Sequence, residues 1–359
     1  MHFKKYKLVM EKEIKIGDRV ISKNSPTFII AELSCNHNGK LAIALETIDA
    51  MHEAGADCVK LQTSKPGSIT IDCNKESFIV KGGTLWDGKT LYELYQQTYT
   101  PWEWHKEIKD YVESKGMIFF SSPFDFKAVD FLEELGVPAY KIASFEITDI
   151  PLIEYTASKG KPVIISTGIA NEEDIQLAID TCRSVGNDQV VILKCTSAYP
   201  TSLDEVNLKM IPDIENKFDC LVGLSDHTMG SVVPMGSVAL GGIIIEKHFI
   251  LDRSLGGPDA SFSMAPGEFK EMVDSVRDLE KALGKVTYKL TEKVEKNKQF
   301  ARSLFVVNDS ESGDLITKEN IRSIRPGNGL HPKYYKMILG KKFSKDVTRG
   351  EPLTLKMIK

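Results

Sequence analysis

Eight short apolar runs of this chain each end on residues able to do chemistry. In chain order the ends are Glu32, Lys60 with Gln62, Ser121-Ser122, Lys141 with Ser144 and Glu146, Ser166-Thr167-Gly168, Lys194 with Ser197, Ser225-Asp226-His227, and Glu246 with His248. Three lysines among so many hydroxyls suit a multiply charged phosphate or carboxylate, as point charges and hydrogen-bond donors. His227 and His248, from neighbouring runs, can give imidazole nitrogens to one divalent metal. Glu32, Glu146 and Asp226 are carboxylates available for proton transfer or for orienting ligands. The sum is a site for an anionic phosphorylated substrate, a metal and acid–base work. One polar residue closing an apolar strand is ordinary punctuation, but eight in succession ask for a common cause. Some pieces have plainer readings. Glu246 beside Lys247 reads equally as an ordinary ion pair, Cys195 as a small buried group without a base, and Trp86, Trp102 and Trp104 as packing.

Elements able to bring these groups together are visible in the same runs. Strands are expected at Phe28–Ala31, Cys58–Gln62, Met117–Ser121, Ala139–Ile142, Val163–Ser166, Val190–Cys195, Cys220–Ser225 and Ile243–His248, each followed by helical periodicity. Eight strand–helix units in this span predict an α/β fold, a (β/α)8 TIM barrel, whose strand C-termini open on one face. A doubly wound open sheet is the rival, and no Gly-x-Gly-x-x-Gly turn follows the first strand. Thr100-Pro101-Trp102-Glu103 reads as a capping box, and Phe269, Met272, Val273, Val276, Leu279 and Leu283 share one helix face before Gly284. The stretch from Gln62 to Thr100 is expected as an insertion over one rim. The barrel domain is placed at 1–284, a polar linker at 285–299 and a small β-rich domain at 300–359, where turn signals recur.

Composition narrows the partners. The tail from Gly284 carries 17 Lys/Arg against 8 Asp/Glu, a net +9, leaving 29 against 42 in the body, or −13. No aromatic interleaving or recognition motif accompanies the basic tail, so nucleic acid is not expected, and packing on an acidic subunit surface is. The most apolar window, Ser231–Ile245, contains Pro234 and three glycines and is too short to span a bilayer. No secretory signal is visible, and six scattered cysteines without a Cys-x-x-Cys pair fit buried thiols in a reducing compartment. A cytoplasmic protein without membrane partners is expected.

Taken in order, Ile30-Ala31-Glu32-Leu33-Ser34-Cys35-Asn36-His37-Asn38-Gly39, Ala54-Gly55-Ala56-Asp57-Cys58-Val59-Lys60-Leu61-Gln62, Ser121-Ser122-Pro123-Phe124, Leu224-Ser225-Asp226-His227-Thr228 and Ile245-Glu246-Lys247-His248-Phe249 resemble the sialic acid synthase family across nearly the whole chain. Arg302-Ser303-Leu304 and Arg325-Pro326-Gly327-Asn328-Gly329 are similar to its antifreeze-like C-terminal (SAF, β-clip) domain. Within the family, Tyr140-Lys141-Ile142-Ala143-Ser144-Phe145-Glu146-Ile147, Leu85-Trp86-Asp87-Gly88 and Cys195-Thr196-Ser197-Ala198-Tyr199-Pro200 resemble the pseudaminic branch.

The resemblance implies a phosphoenolpyruvate-dependent synthase, a transferase that joins phosphoenolpyruvate to 2,4-diacetamido-2,4,6-trideoxy-L-altrose and water and yields pseudaminic acid and phosphate. It implies Mn2+ or Mg2+ on His227 and His248, and phosphoenolpyruvate on Lys60, Ser122, Lys141, Ser144, Ser166, Ser197 and Ser225. The sugar would meet Gln62, Glu146, Tyr199 and Asp259, with Arg325 reaching in from the other subunit of a domain-swapped homodimer. Glu32 and Glu146 are the acid–base candidates, with their roles open. Alternatives are a neuraminate or legionaminate synthase of the same chemistry, a Schiff-base aldolase using Lys141 or Lys194, and a non-catalytic carbohydrate- or ice-binding protein.

Overall fold

The computed structural model describes residues 12–81 and 87–359. Trp86 and the start of its Leu85-Trp86-Asp87-Gly88 motif lie outside the described residues. The chain divides into two compact units, Met1–Gly284 and Lys285–Lys359.

In the first unit eight parallel strands close into a barrel. They are β1 (Phe28–Glu32), β2 (Cys58–Thr63), β3 (Ile118–Pro123), β4 (Tyr140–Ile142), β5 (Val163–Ser166), β6 (Val190–Cys195), β7 (Leu221–Asp226) and β8 (Ile244–His248). They follow one another round the ring, and β8 returns to pair with β1. Outside them lie α1 (Leu41–Glu53), α2 (His105–Ser114), α3 (Phe126–Leu135), α4 (Ile150–Ala157), α5 (Glu172–Ser184), α6 (Met210–Phe218), α7 (Val232–Ala239) and α8 (Pro266–Leu283). The strands read as near-continuous Val/Ile/Leu runs because both faces are covered, the lumen side by barrel packing and the outer side by helices. In α8, Phe269, Met272, Val273 and Val276 are buried, while Leu283 at the end of the same face is half exposed.

The barrel's N-terminal end is tied for stability. Asp57 accepts hydrogen bonds from the Ile29 amide at 2.8 Å and from Arg277 of α8 at 3.0 Å, and it pairs with Arg19. Arg19 belongs to an antiparallel hairpin, Glu13–Ile16 with Arg19–Ser22, that the sequence reading missed. Four-residue strands leave too short a period-2 signal to register. Its two-residue loop starts at Gly17, whose φ of +62° an L side chain rarely adopts.

The segment between β2 and α2 contains two helical pieces, Pro66–Ile69 and Leu91–Thr98. The capping box lies at Thr90 and Glu93, not at Thr100 and Glu103. Glu93 N–H donates to Thr90 Oγ1 at 3.1 Å, and Thr90 N–H donates to the Glu93 carboxylate at 2.9 Å. Thr100 instead receives a hydrogen bond from His37 Nε2 at 3.1 Å, and no side chain caps the single turn Trp102–Trp104. The tautomer follows from the Gly39 amide, which donates to His37 Nδ1 at 3.0 Å. Thr63 hydrogen bonds His105 at 2.8 Å, so a second buried imidazole ties β2 to the start of α2. Burial pushes both imidazoles down to about 4, so they stay neutral links. Trp102 stacks on Phe131 and donates to the Ser64 carbonyl, which is the packing role expected of it.

The second unit has its own core of Leu304, Val306, Ile316, Ile321, Ile338, Phe343, Val347 and Leu353 around the antiparallel pair β9 (Ser303–Val306) and β10 (Ile321–Ile324). The polar segment before it holds one exposed turn of helix, α9 (Glu292–Lys296). Five of the six free cysteines are buried, while Cys73 is partly exposed. Among the described residues no helix is long and apolar enough to cross a membrane.

Candidate active site

Strand register builds the site. Glu32 lies beside Lys60 on one side and His248 on the other, and Ser225 lies between Cys195 and Glu246. Side chains at equivalent register positions point to one face, and here that face is the lumen. The Lys60 ammonium sits 2.9 Å from Glu32 and 3.2 Å from Glu246, and Lys141 reaches the same Glu246 oxygen at 3.5 Å. Ser225 donates to that oxygen at 3.1 Å. Gln62 donates to Glu32 at 2.8 Å and to Ser34 at 3.2 Å, and Ser34 in turn donates to Asp259. His248 lies between the two acids, with Nε2 3.3 Å from Glu32 and Nδ1 3.4 Å from Asp259.

The electrostatics of this cluster divide its carboxylates. Burial alone would raise Glu32, but His248, Lys60 and Gln62 outweigh it and hold the carboxyl far below its usual range. Burial pushes Glu146 up to about 7, against the opposing charge of Lys141. Burial lowers Lys141 despite Glu246, whereas Glu246 and Glu32 together overcome burial at Lys60 and raise it.

Around the two lysines, several buried oxygens have no hydrogen-bond partner. They are the hydroxyls of Ser122, Ser166 and Ser197 and one carboxylate oxygen each of Glu146 and Glu246. Ser144 is held between the Gly168 amide, which donates to it at 3.3 Å, and the Cys195 sulfur, to which it donates at 3.4 Å. Gly168 cannot carry a side chain, because a Cβ there would stand 2.0 Å from Ser197 Oγ and 2.7 Å from Ser144 Oγ. Buried hydroxyls are normally satisfied, so a ring of unpaired ones beside two ammonium groups is a cradle shaped for an anion.

His227 and His248 stand with ring centroids 5.3 Å apart. His227 Nδ1 lies 3.1 Å from the Thr196 carbonyl, an arrangement that fixes the tautomer, and the ring also meets the Cys195 thiol. Nδ1 of His248 is buried without an aligned hydrogen bond. This donor pair suits a divalent ion whose other positions belong to substrate or water. Among the described residues no set of three or more His, Cys, Asp or Glu side chains forms a complete cage. Phe262 packs on both imidazoles, at 5.0 Å from His248 and 5.9 Å from His227, and Tyr199 lies 4.4 Å from His227. Phe262 and Ser34 escaped the sequence reading because neither is a strand-end residue.

Three strand-end residues face the other way. Lys247 is fully buried between strands and helices, where it pairs with Asp226 at 2.9 Å and donates to the Thr228 carbonyl. Asp226 also accepts from the Thr228 amide at 3.0 Å and hydroxyl at 2.9 Å. Asp226 is therefore no proton-transfer group, and Glu246 and Lys247 do not pair, because successive residues of a strand point to opposite faces. Lys194 likewise leaves the lumen, donating to the Cys195 carbonyl at 2.6 Å and to Thr196 Oγ1 at 3.0 Å.

A closed (β/α)8 barrel with a phosphate-type cradle and paired imidazoles at its mouth defines a class of barrel enzymes acting on anionic substrates. Within that class the chain belongs to the NeuB family, whose model matches residues 47–288, and a SAF domain follows at 301–359. The pseudaminic acid synthase of Campylobacter jejuni subsp. jejuni serotype O:2 is 49% identical over 340 residues, 95% of this chain and 98% of that protein. The N,N'-diacetyllegionaminic acid synthase of Legionella pneumophila is 39% identical over 331 residues, 91% and 93% of the two chains. The solved structure of the Bacillus subtilis spore coat polysaccharide biosynthesis protein SpsE superposes with a TM-score of 0.67 at 33% identity, covering 97% of this chain and 99% of that one.

Proposed function

We propose that this chain condenses phosphoenolpyruvate with 2,4-diacetamido-2,4,6-trideoxy-L-altrose and water, giving pseudaminic acid and phosphate. The observation that carries the reading is the ring of unpaired hydroxyls of Ser122, Ser166 and Ser197 around Lys60 and Lys141. Similarity supports the sugar, since identity is ten points higher to the pseudaminic than to the legionaminic relative.

Phosphoenolpyruvate lies on Lys60, Lys141, Ser122, Ser144, Ser166, Ser197 and Ser225, and the lysines stabilise phosphate charge throughout. The open-chain sugar lies against Gln62, Glu146, Tyr199 and Asp259. His227 and His248 would hold Mn2+ or Mg2+, which when bound would supply Lewis-acid polarisation of the sugar's aldehyde. C3 of phosphoenolpyruvate attacks that carbonyl carbon, water adds at C2, and phosphate leaves by C–O cleavage. Glu32, kept ionised, orients Lys60 and His248 and accepts the water's proton. Glu146, about half protonated at neutrality, supplies the proton the sugar oxygen takes up, because environments that push two carboxyls apart divide the acid and base roles. The basic tail and acidic body support a domain-swapped homodimer in which the partner's Arg325 completes the sugar site. Six free cysteines, five of them buried, support a reducing compartment such as the cytoplasm for the reaction.

The test is phosphate release from phosphoenolpyruvate with Mn2+, offered the trideoxy-L-altrose derivative, the legionaminate precursor and N-acetylmannosamine in parallel. Release with the first alone supports the reading. Release with another sugar alone keeps the chemistry and replaces the substrate. No release from folded, metal-loaded protein overturns both.

A further inference from the structure

Lys194 was expected to face the mouth and does not. It opens instead on a separate cavity of about 630 Å3 behind β5 and β6, lined among others by Thr167, Gly168, Thr196, Asn207 and Lys209. That volume lies in the range of small-molecule sites. The ammonium of Lys194 is half-buried, and among the described residues its hydrogen-bond partners are the Cys195 carbonyl and the Thr196 hydroxyl. No carboxylate lies within ion-pair range of it among the described residues, and burial lowers its pKa, with the neighbouring Cys195 thiol acting in the other direction. An ammonium that faces a cavity with no carboxylate in direct contact is a point of attachment for an anion.

We infer that this cavity is a second binding site, for a carboxylated, polyhydroxylated acylamino sugar of the product's own class; the ligand's identity rests on the proposed reaction. The lining selects that chemistry. Lys194 takes one carboxylate, while Glu205 and Asp213 at the rim carry negative charge that disfavours polyphosphates. Asn207 and the rim carboxylates accept hydroxyl hydrogen bonds, and Ile175 and Ile214 give an apolar floor for an acyl methyl, with Met210 at the rim. The wall is shared with the cradle. Gly168 donates its amide to Ser144, and Ser144 donates to Cys195, so Thr167-Gly168 and Cys195-Thr196 present one face to each site. Occupancy behind the wall acts on the serines in front of it, which is the geometry of feedback by product.

The experiment is calorimetric titration of full-length protein with purified pseudaminic acid and, as a second probe, N-acetylneuraminic acid, each with and without saturating phosphoenolpyruvate. Two binding events per chain are expected, one displaced by phosphoenolpyruvate and one not. Met210→Trp, which fills the cavity from its rim, should weaken the second event at least tenfold while phosphate release without added product stays within twofold of wild type. Lys194→Met should weaken the same event and leave the melting profile intact. If phosphoenolpyruvate displaces all binding, or both variants bind as wild type does, the inference is wrong. Binding that survives phosphoenolpyruvate with either sugar acid, in a chain inactive on the trideoxy sugar, keeps the site and overturns only the proposed substrate.

Discussion

Lys141 and Lys247 are both fully buried lysines at barrel strand ends, and burial lowers the pKa of each. Their surroundings differ. Around Lys247 every near polar atom is used, with Asp226 and Thr228 closing a complete set of hydrogen bonds. Around Lys141 the set is open, with three serine hydroxyls and a Glu246 oxygen left unpaired. Burial by itself therefore says nothing about function. Unmet hydrogen-bonding capacity clustered beside charge does, whereas single unpaired hydroxyls such as those of Thr156 and Ser237 on the outer helices do not.

The largest expected effect lies in the open set. His248→Ala should abolish metal-dependent turnover, by about 10³-fold or more, with an unchanged circular dichroism spectrum and melting profile. Near-normal activity of that variant in added Mn2+ would refute the ligand assignment. Next is Lys141→Met. It removes half the cationic charge of the cradle and should lower kcat/KM for phosphoenolpyruvate about 100-fold. Its melting temperature should hold or rise, since burial of the ammonium disfavours its charged form. Lys247→Met should do the reverse. Leaving Asp226 buried and unpaired costs about 3–5 kcal/mol of stability. The double variant Lys247→Met/Asp226→Leu should recover much of that loss, yet bind Mn2+ more weakly by titration, because the outer pair joins the two strands that carry His227 and His248. Equal destabilisation by the two lysine variants would erase the distinction between the sets.

The barrel was legible because buried parallel strands are written as plain Val/Ile/Leu runs, and each of the eight lies within two residues of its expected position. The luminal residues Glu32, Lys60, Lys141, Ser225 and His248 were legible for a related reason, since they close those runs. The side each strand-end residue takes was not. Lys194 next to Cys195, Asp226 next to His227, and Lys247 between Glu246 and His248 differ only in parity, and a one-residue offset reverses the face. Asp259, Tyr199 and Arg325 came from the resemblance alone, since loops carry no periodicity. Ser34 and Phe262 required the fold itself.

The smallest effect concerns proton balance within the open set. Glu146 is pushed up from 4.5 to about 7 by burial, with Lys141 opposing and Asp149 adding to it. Tyr95 is the other titratable group that feels its charge. A raised folded pKa means the folded chain holds a proton that the unfolded chain has already lost. The stability this contributes is full below pH 4.5 and is lost as pH rises through about 7. Glu146→Gln should flatten the dependence of melting temperature on pH between those values. If Glu146 acts as the proton donor, the wild-type rate should fall above pH 7 with a limb that Glu146→Gln lacks, at a rate reduced about 10²-fold. A Glu146→Gln profile that keeps the limb would move the acid role to another group of the lumen. A flat wild-type melting profile would instead mean that the carboxyl is hydrated and ionised before the sugar arrives.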